Sequence, residues 1–189
     1  MDINGRYGWI FIYKERYIKN YLLKPVFNKC DFIKINWIFP SDNGHIYYEN
    51  KSLFERFKGP YKKSKFIKSI IRGNISNLKY WVHSPYISPY KNVSCNSIGK
   101  KINNDIINFE HIDNINIRKA FIIHFHYKST EEFIQKIKRG YSNWYGKELF
   151  NMLKYRIDNY LKDNKITKEK IEYLEKELNI NLSEYKGNK

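Results

Sequence analysis

The chain has 189 residues, a length that suits one compact domain, and its 42% hydrophobic and 17% aromatic residues exclude a disordered or low-complexity protein. Its net charge is +16, from 35 basic and 19 acidic residues. An excess of this size favours phosphate-rich or acidic partners, such as nucleotides, nucleic acids or anionic membranes, without choosing among them. The basic residues are densest within residues 51–72.

The cysteines and the apolar runs bear on location. Cys30 and Cys95 are far apart and match neither a zinc site nor the framework of a disulfide-rich secreted domain, which favours a reducing compartment. The longest apolar run is far short of the ~20 residues that a membrane helix needs. Residues 1–6 are polar and do not form a signal peptide. We therefore expect a cytoplasmic chain without a transmembrane segment.

The first part of the chain predicts a strand, a helix and a second strand. Residues 7–13 and 32–37 are aromatic and β-branched, as strands are. Between them, residues 14–28 place apolar side chains at helical spacing until Pro25 ends the pattern. The turn-forming residues 40–44, PSDNG, predict a loop after the second strand.

The later part predicts strands and then helices. Residues 65–71, 78–82 and 119–127 favour strands, whereas residues 84–100, with prolines and scattered polar residues, favour a loop. Ser129 and Glu132 form a capping box that starts a helix, with Gly140 at its end. Two more helices are predicted, at residues 145–161 and, capped by Thr167, at residues 168–178.

Histidines are the clearest candidates for chemistry. His124 and His126 lie two apart in a predicted strand, so their imidazoles share a face and suit either a metal site or ordinary hydrogen bonds. His45 follows the Asn43-Gly44 turn, and His83 precedes a proline. The sequence contains no Walker A, GxGxxG, GxSxG or HExxH motif.

Two segments carry a resemblance to a known family. Residues 123–133, IHFHYKSTEEF, and residues 136–140, KIKRG, resemble the "HY..KS.EEF..K..RG" pattern of glycosyltransferases of the GT-A fold, family 92-like and family 2-related. Residues 35–45, INWIFPSDNGH, are similar to the "W..FGS.GH" segment of the same families, and LFERF follows at residues 53–57. The resemblance covers roughly residues 9–140.

The resemblance implies a fold and an arrangement of domains. It implies an α/β protein with a partial GT-A-like mixed sheet and C-terminal helices. Residues 1–140 would form the glycosyltransferase domain, and residues 141–189 a helical extension packed on it. Because the resemblance begins near the family's metal motif, it implies a truncated or diverged protein that keeps the C-terminal, acceptor-side half.

The resemblance also implies site residues. In the family an Asp-x-Asp-Glu motif follows the first strand and holds a divalent ion, manganese or magnesium. Tyr13, Glu15 and Arg16 occupy those positions here, which removes carboxylates that a hard cation needs. The implied metal ligands are His124 and Glu15, and the implied catalytic base is Asp42. The implied substrate-binding residues are Trp37, Asn43, Gly44, His45, His83, Lys128 and Ser129.

Two functions follow as expectations. The first is a glycosyltransferase-family protein that transfers, or formerly transferred, a sugar from a nucleotide sugar to a glycan or protein acceptor, alone or with the missing half or a full-length paralogue. The second is a basic nucleic-acid-binding or scaffolding domain without catalysis. Under the first, we expect the turn at residues 41–45, His83 and His124 to converge at one edge of the sheet, where the start of the helix after Lys128 favours an anion.

Overall fold

The computed structural model describes residues 9–13, 17–73, 75, 79–80, 85–86, 92–102, 115–140 and 146–183. The chain divides into two compact units. The sheet unit comprises Gly5–Phe39 and Lys62–His124. The helical unit comprises Pro40–Tyr61 and Phe125–Lys189.

Short strands build a mixed, open sheet. In chain order they are β1 (Trp9–Tyr13), β2 (Phe32–Pro40), β3 (Tyr61–Ile71), β4 (Lys79–Tyr80), β5 (Pro85–Tyr86), β6 (Ser94–Asn96), β7 (Lys101–Ile102) and β8 (Ala120–His124). The six-stranded sheet runs in the order β1-β8-β2-β6-β7, with β3 also paired to β2, while β4 pairs with β5 separately. β2 is parallel to β6 and β8, whereas β1 is antiparallel to β8 and β6 to β7.

β2 is the centre of this sheet. The strand is buried along its length apart from the partly buried Phe39, and it includes the polar residues Lys34 and Asn36. Ile33, Ile35 and Trp37 belong to the core of the sheet unit, together with Tyr21 and Phe27 from the segment that precedes the strand. The buried Asn36 side chain is hydrogen-bonded inside the protein, since its Nδ2 donates to the Ser64 carbonyl at 3.1 Å.

Helices form the remaining regular secondary structure of the described chain. They are α1 (Ile18–Leu22), followed by a 3-10 turn at Pro25–Phe27, α2 (Leu53–Arg56), α3 (Thr130–Lys138), α4 (Gly146–Asp163) and α5 (Lys168–Leu178). Ser129 caps α3, and Gly140 follows its end with a φ of 69°. Thr167 caps α5 through the Lys170 N–H. In the helical unit, apolar side chains of α3, α4 and α5 form one core, in which the Phe133 and Tyr160 rings stack at 4.2 Å.

The structure confirms the main sequence predictions about secondary structure. The fold is mixed α/β, and the strands predicted at residues 7–13, 32–37 and 119–127 share one sheet as β1, β2 and β8. The predicted helix at residues 14–28 is shorter, since only Ile18–Leu22 is α-helical. The loop predicted at residues 84–100 is wrong in part, because it contains β5 and β6. β6 has the polar sequence Ser-Cys-Asn and is held by backbone pairing to β2, which periodicity cannot detect.

Cys30 and Cys95 match no disulfide-rich framework in the sequence, yet they are paired in the structure. Cys30 and Cys95 form a disulfide with a Cα–Cα distance of 5.7 Å, and both are buried in the core of the sheet unit. β6 pairs in parallel with β2 just after Cys30, and this pairing brings the two cysteines together. Among the described residues, no helix has both the length and the apolar character to cross a bilayer.

Candidate functional site

A tight turn follows β2 in the helical unit. Asn43 and Gly44 have positive φ angles of 52° and 80°, a backbone conformation that asparagine and glycine tolerate best. Asp42 closes the turn: its Oδ1 accepts from the Gly44 N–H at 2.9 Å, and its carbonyl accepts from the His45 N–H at 2.9 Å. The Asn43 side chain is exposed, and its Oδ1 accepts from the Ser41 hydroxyl at 2.8 Å.

Asp42 itself is enclosed. Its Oδ2 accepts from Lys170 Nζ at 2.6 Å and from Tyr160 Oη at 2.6 Å, and both Asp42 and Lys170 are 0% exposed. Burial lowers the pKa of Lys170 more than the Asp42 carboxylate raises it. A buried ion pair therefore ties the turn to α5, and the hydrogen bond from Tyr160 ties it to α4. This environment gives Asp42 a structural role and does not support the base role predicted for it, because an acceptor hydroxyl has no access to the carboxylate.

The start of α3 packs against the same turn. The Thr130 N–H donates to the His45 carbonyl at 3.0 Å, and the Glu131 N–H donates to the Ile46 carbonyl at 2.8 Å. The Thr130 hydroxyl shares a hydrogen bond of 2.8 Å with Tyr160 Oη, which extends the Asp42 network. Since the Glu132 N–H donates to Ser129 Oγ, the N–H groups of residues 130–132 all have partners inside the protein. The N–H groups at the start of α3, which were expected to favour an anion, are therefore bonded to the protein itself.

A second ion pair fixes α2 to α3. Arg56 Nη1 donates to Glu132 Oε2 at 2.6 Å, and Nη2 donates to Oε1 at 3.3 Å. Burial would raise the pKa of Glu132, but hydrogen bonds from Arg56 and Ser129 and the Arg56 charge together hold it below its usual value. The guanidinium also lies over the rings of Tyr48 and Phe57, at 5.0 and 4.9 Å from their centroids. The pair joins two of the segments that carry the family resemblance.

His45 is held between two oxygen acceptors. Its Nε2 donates to the Arg56 carbonyl at 3.0 Å, and its Nδ1 lies 3.1 Å from Glu49 Oε1. The imidazole is half-buried and packs edge-on against Phe57 at 5.6 Å. These contacts orient the ring and join the turn to the chain that leads into α2.

Several basic side chains lie close to α3. Lys128 has a positive φ of 57°, and its Nζ lies 3.7 Å from Glu132 Oε1. Lys136 Nζ donates to the His126 carbonyl at 3.3 Å. Burial, followed by the charges of Arg156, Lys128 and Arg139, lowers the pKa of Lys136 to about 8. Burial, followed by the charges of Lys136 and Arg156, lowers the pKa of His126 to about 3. Lys128, Lys136 and Arg139 thus bring positive charge close together in the helical unit, an arrangement that suits an anionic ligand.

His124 lies in the sheet unit among aromatic rings. Its imidazole is 4.9 Å from the Trp37 ring and 5.5 Å from the Phe39 ring, and Trp37 in turn stacks on Phe66 at 5.3 Å. The half-buried imidazole stands at the end of β8, next to the end of β2. Trp37 is buried, so it supports His124 from within the unit.

The structure brings together only some of the predicted site residues. Asn43, Gly44, His45, Lys128 and Ser129 belong to the helical unit, whereas Trp37 and His124 belong to the sheet unit. Glu15 and His83 lie outside the described residues. Convergence of these groups at one edge therefore stays a prediction. Within the described ranges, no three His, Cys, Asp or Glu side chains are grouped as a metal would need. Because Glu15, one of the two implied metal ligands, lies outside the described residues, the metal site stays a prediction.

Several central residues were not found from the sequence. Ser52 and Glu55 form a second capping box, at the start of α2, with the same spacing as the box at Ser129. Lys170 stands four residues before Leu174 on the apolar stripe of α5, a position that indicates a buried lysine with an acidic partner.

No protein-family model, no curated protein and no solved structure matches the chain.

Proposed function

We propose that the chain is a diverged glycosyltransferase-family protein of the GT-A type that binds a nucleotide sugar. The observation that carries the proposal is the contact between the two segments that resemble the family. Arg56 of the earlier segment pairs with Glu132 of the later one, and the Thr130 N–H donates to the His45 carbonyl. Segments that contact one another are expected when both belong to one inherited structural unit.

The residues present suit binding better than transfer. Lys128, which is close to Lys136, offers a cation for a diphosphate, and the exposed Asn43 amide offers hydrogen bonds to hydroxyls. Asp42 is committed to Lys170, so no proton transfer is assigned to it. Manganese or magnesium would neutralise the leaving diphosphate in such an enzyme, but the described residues supply no ligand set for it. We therefore expect nucleotide-sugar binding without enzyme-like turnover.

Product assays test the catalytic part of the proposal. The purified chain would be incubated with a panel of nucleotide sugars and simple glycan acceptors, with manganese and with magnesium, and with no metal as the control. We expect neither hydrolysis nor transfer above background. Clear turnover that is abolished by His124→Ala would contradict this expectation and assign the protein a working active site.

A basic nucleic-acid-binding domain is the second candidate, and β3 favours it. This strand exposes Lys62, Lys63, Lys65 and the ring of Phe66, a combination that binds single strands through phosphate contacts and base stacking. Binding of three lysines to the phosphates of a single strand weakens by a factor of about twenty between ~50 and ~200 mM salt, whereas contacts to the sugar hydroxyls of a nucleotide sugar depend far less on salt. Titrations with single-stranded RNA at both salt concentrations separate the two candidates. Triple substitution of the lysines by alanine should affect only the second.

A cytoplasmic location was predicted from the sequence, and the disulfide gives a way to test that prediction. Disulfides such as Cys30–Cys95 persist in oxidising compartments and are reduced in the cytosol. Thiol labelling of the protein taken directly from its native source decides the point. Reduced cysteines would support the predicted cytoplasmic location, and a bonded pair would count against it.

A further inference from the structure

The segment that leads from α1 to β2 is apolar on two sides. Its inner side chains belong to the core of the sheet unit: Tyr21 is buried, donates its hydroxyl to the Ser97 carbonyl at 2.7 Å and packs on Phe27 at 5.0 Å. Its outer side chains are Leu23, Tyr17, Val26 and Ile18, which are 67%, 57%, 54% and 42% exposed. A helical segment that is apolar on both sides normally buries both.

Hydrogen bonds and a disulfide fix the backbone that carries these outer side chains. Arg72 Nη2 donates to the Phe27 carbonyl at 2.8 Å, and its Nε donates to the Cys30 carbonyl at 3.1 Å. The Cys30–Cys95 disulfide then ties the end of the segment to β6. The backbone that carries Leu23 and Val26 is therefore fixed, and their exposed apolar side chains are a stable feature of the sheet unit.

The outer side chains lie among lysines in the sequence. Lys19, Lys24 and Lys29 interleave with them, and residues 17–30 contain no acidic residue. The next acid, Asp31, accepts the Val93 N–H through its Oδ2 at 2.7 Å. Exposed apolar side chains flanked by lysines are the combination that attaches proteins to anionic lipid surfaces, because the lysines meet acidic headgroups while the apolar groups enter the boundary below them.

We propose that this segment, residues 17–29, docks the protein on an anionic membrane surface. Leu23 and Val26 enter the boundary between headgroups and acyl chains, and the three lysines contact acidic headgroups. A second copy of the chain is a poorer occupant of this face, since two molecules of charge +16 repel each other. The proposal stands independently of the proposed sugar chemistry.

Vesicle flotation tests the proposal. The full chain is mixed with vesicles of phosphatidylcholine alone or of phosphatidylcholine with phosphatidylserine. We expect binding to the phosphatidylserine vesicles, weakened by added salt, and an about tenfold or larger loss of partitioning in Leu23→Asp/Val26→Asp. The matched control is Tyr47→Asp/Tyr155→Asp, which changes the charge equally at two exposed side chains of the helical unit and should bind like the original protein.

The fold and the location of binding are checked separately. Leu23→Ser, which adds no charge, should give a smaller loss in the same direction with an unchanged thermal transition. Hydrogen exchange of the unaltered chain should show slower exchange at residues 17–29 when phosphatidylserine vesicles are present, a readout that needs no variant. Equal binding to both vesicle types, an equal loss in the control variant, or protection confined to other segments would overturn the proposal. A dimer in solution that Leu23→Asp dissociates would overturn it too.

Discussion

Arg56 and Glu132, 76 residues apart in the chain, form a buried ion pair with an Nη1–Oε2 distance of 2.6 Å. Glu132 also accepts from the N–H and the hydroxyl of Ser129, so one carboxylate serves both the cap of α3 and the attachment of α2. Breaking either contact leaves a buried charge with an incomplete set of partners, which makes the pair a sensitive point in the helical unit.

Glu132→Gln should lower the free energy of unfolding by about 3 kcal/mol, because Arg56 stays buried without its counter-ion. The measurement is urea unfolding followed by circular dichroism. Glu177→Gln is the matched control: Glu177 pairs with Lys138 at 2.7 Å but on the surface, so its loss should matter much less. Equal effects of the two substitutions would contradict the importance given to burial.

Asp42→Asn should destabilise the protein by about 3 to 5 kcal/mol, since it leaves the buried Lys170 ammonium without a carboxylate. The double variant Asp42→Asn/Lys170→Met should lose less than the sum of the two single variants. The same double-mutant cycle at Lys168 and Glu172, an exposed pair, is the control and should show additive effects. A stable Asp42→Asn protein would reopen the role of Asp42 as a base.

Acid should destabilise the protein partly through His126, whose pKa falls from 6.5 to about 3 on folding. As the pH falls from 6.5 towards 3, the unfolded chain takes up a proton that the folded chain does not. Stability therefore falls by up to about 1.4 kcal/mol per pH unit through this residue. Urea unfolding across this pH range should show a shallower decline for His126→Gln, with His45→Gln as the comparison. Parallel curves for the original protein and His126→Gln would refute this assignment.

Removal of the disulfide should also be costly. The bond joins residues 65 positions apart, and closing a loop of that length in the unfolded chain corresponds to about 4 kcal/mol. The double variant Cys30→Ala/Cys95→Ala should unfold at a correspondingly lower denaturant concentration. A reducing agent should lower the stability of the original protein and leave that of the double variant unchanged. An original protein that is insensitive to reduction would show that the bond does not form in solution.

Local sequence signals predicted the helices whose ends are stabilised by residues close to one another in the chain. The capping box at Ser129, the apolar stripe of α3 and Gly140 predicted that helix to within about a residue at each end. α5 agrees equally well, because Thr167 caps it and Leu174 and Leu178 lie on one face. In these cases the residues that decide the structure are neighbours in the chain.

Features that depend on contacts between residues far apart in the chain could not be predicted from local sequence signals. β6, Ser-Cys-Asn, is a three-residue segment that becomes a strand through backbone pairing with β2 and β7. Asp42 looked like a reactive carboxylate in an open turn, and its burial depends on Lys170, which lies 128 residues later. The disulfide has the same origin, since Cys30 and Cys95 meet only once the sheet has formed. Sequence spacing carries no record of such pairings.

Binding of nucleotide sugars is the measurement that tests the central claim most directly. A panel of nucleotide sugars would be titrated into the original protein, Lys128→Ala and Lys168→Ala, two variants that each remove a lysine paired with a glutamate four residues later. The account predicts saturable binding of at least one nucleotide sugar, weakened about tenfold by Lys128→Ala and unchanged by Lys168→Ala. Absence of binding across the panel, or equal effects of the two substitutions, would contradict it.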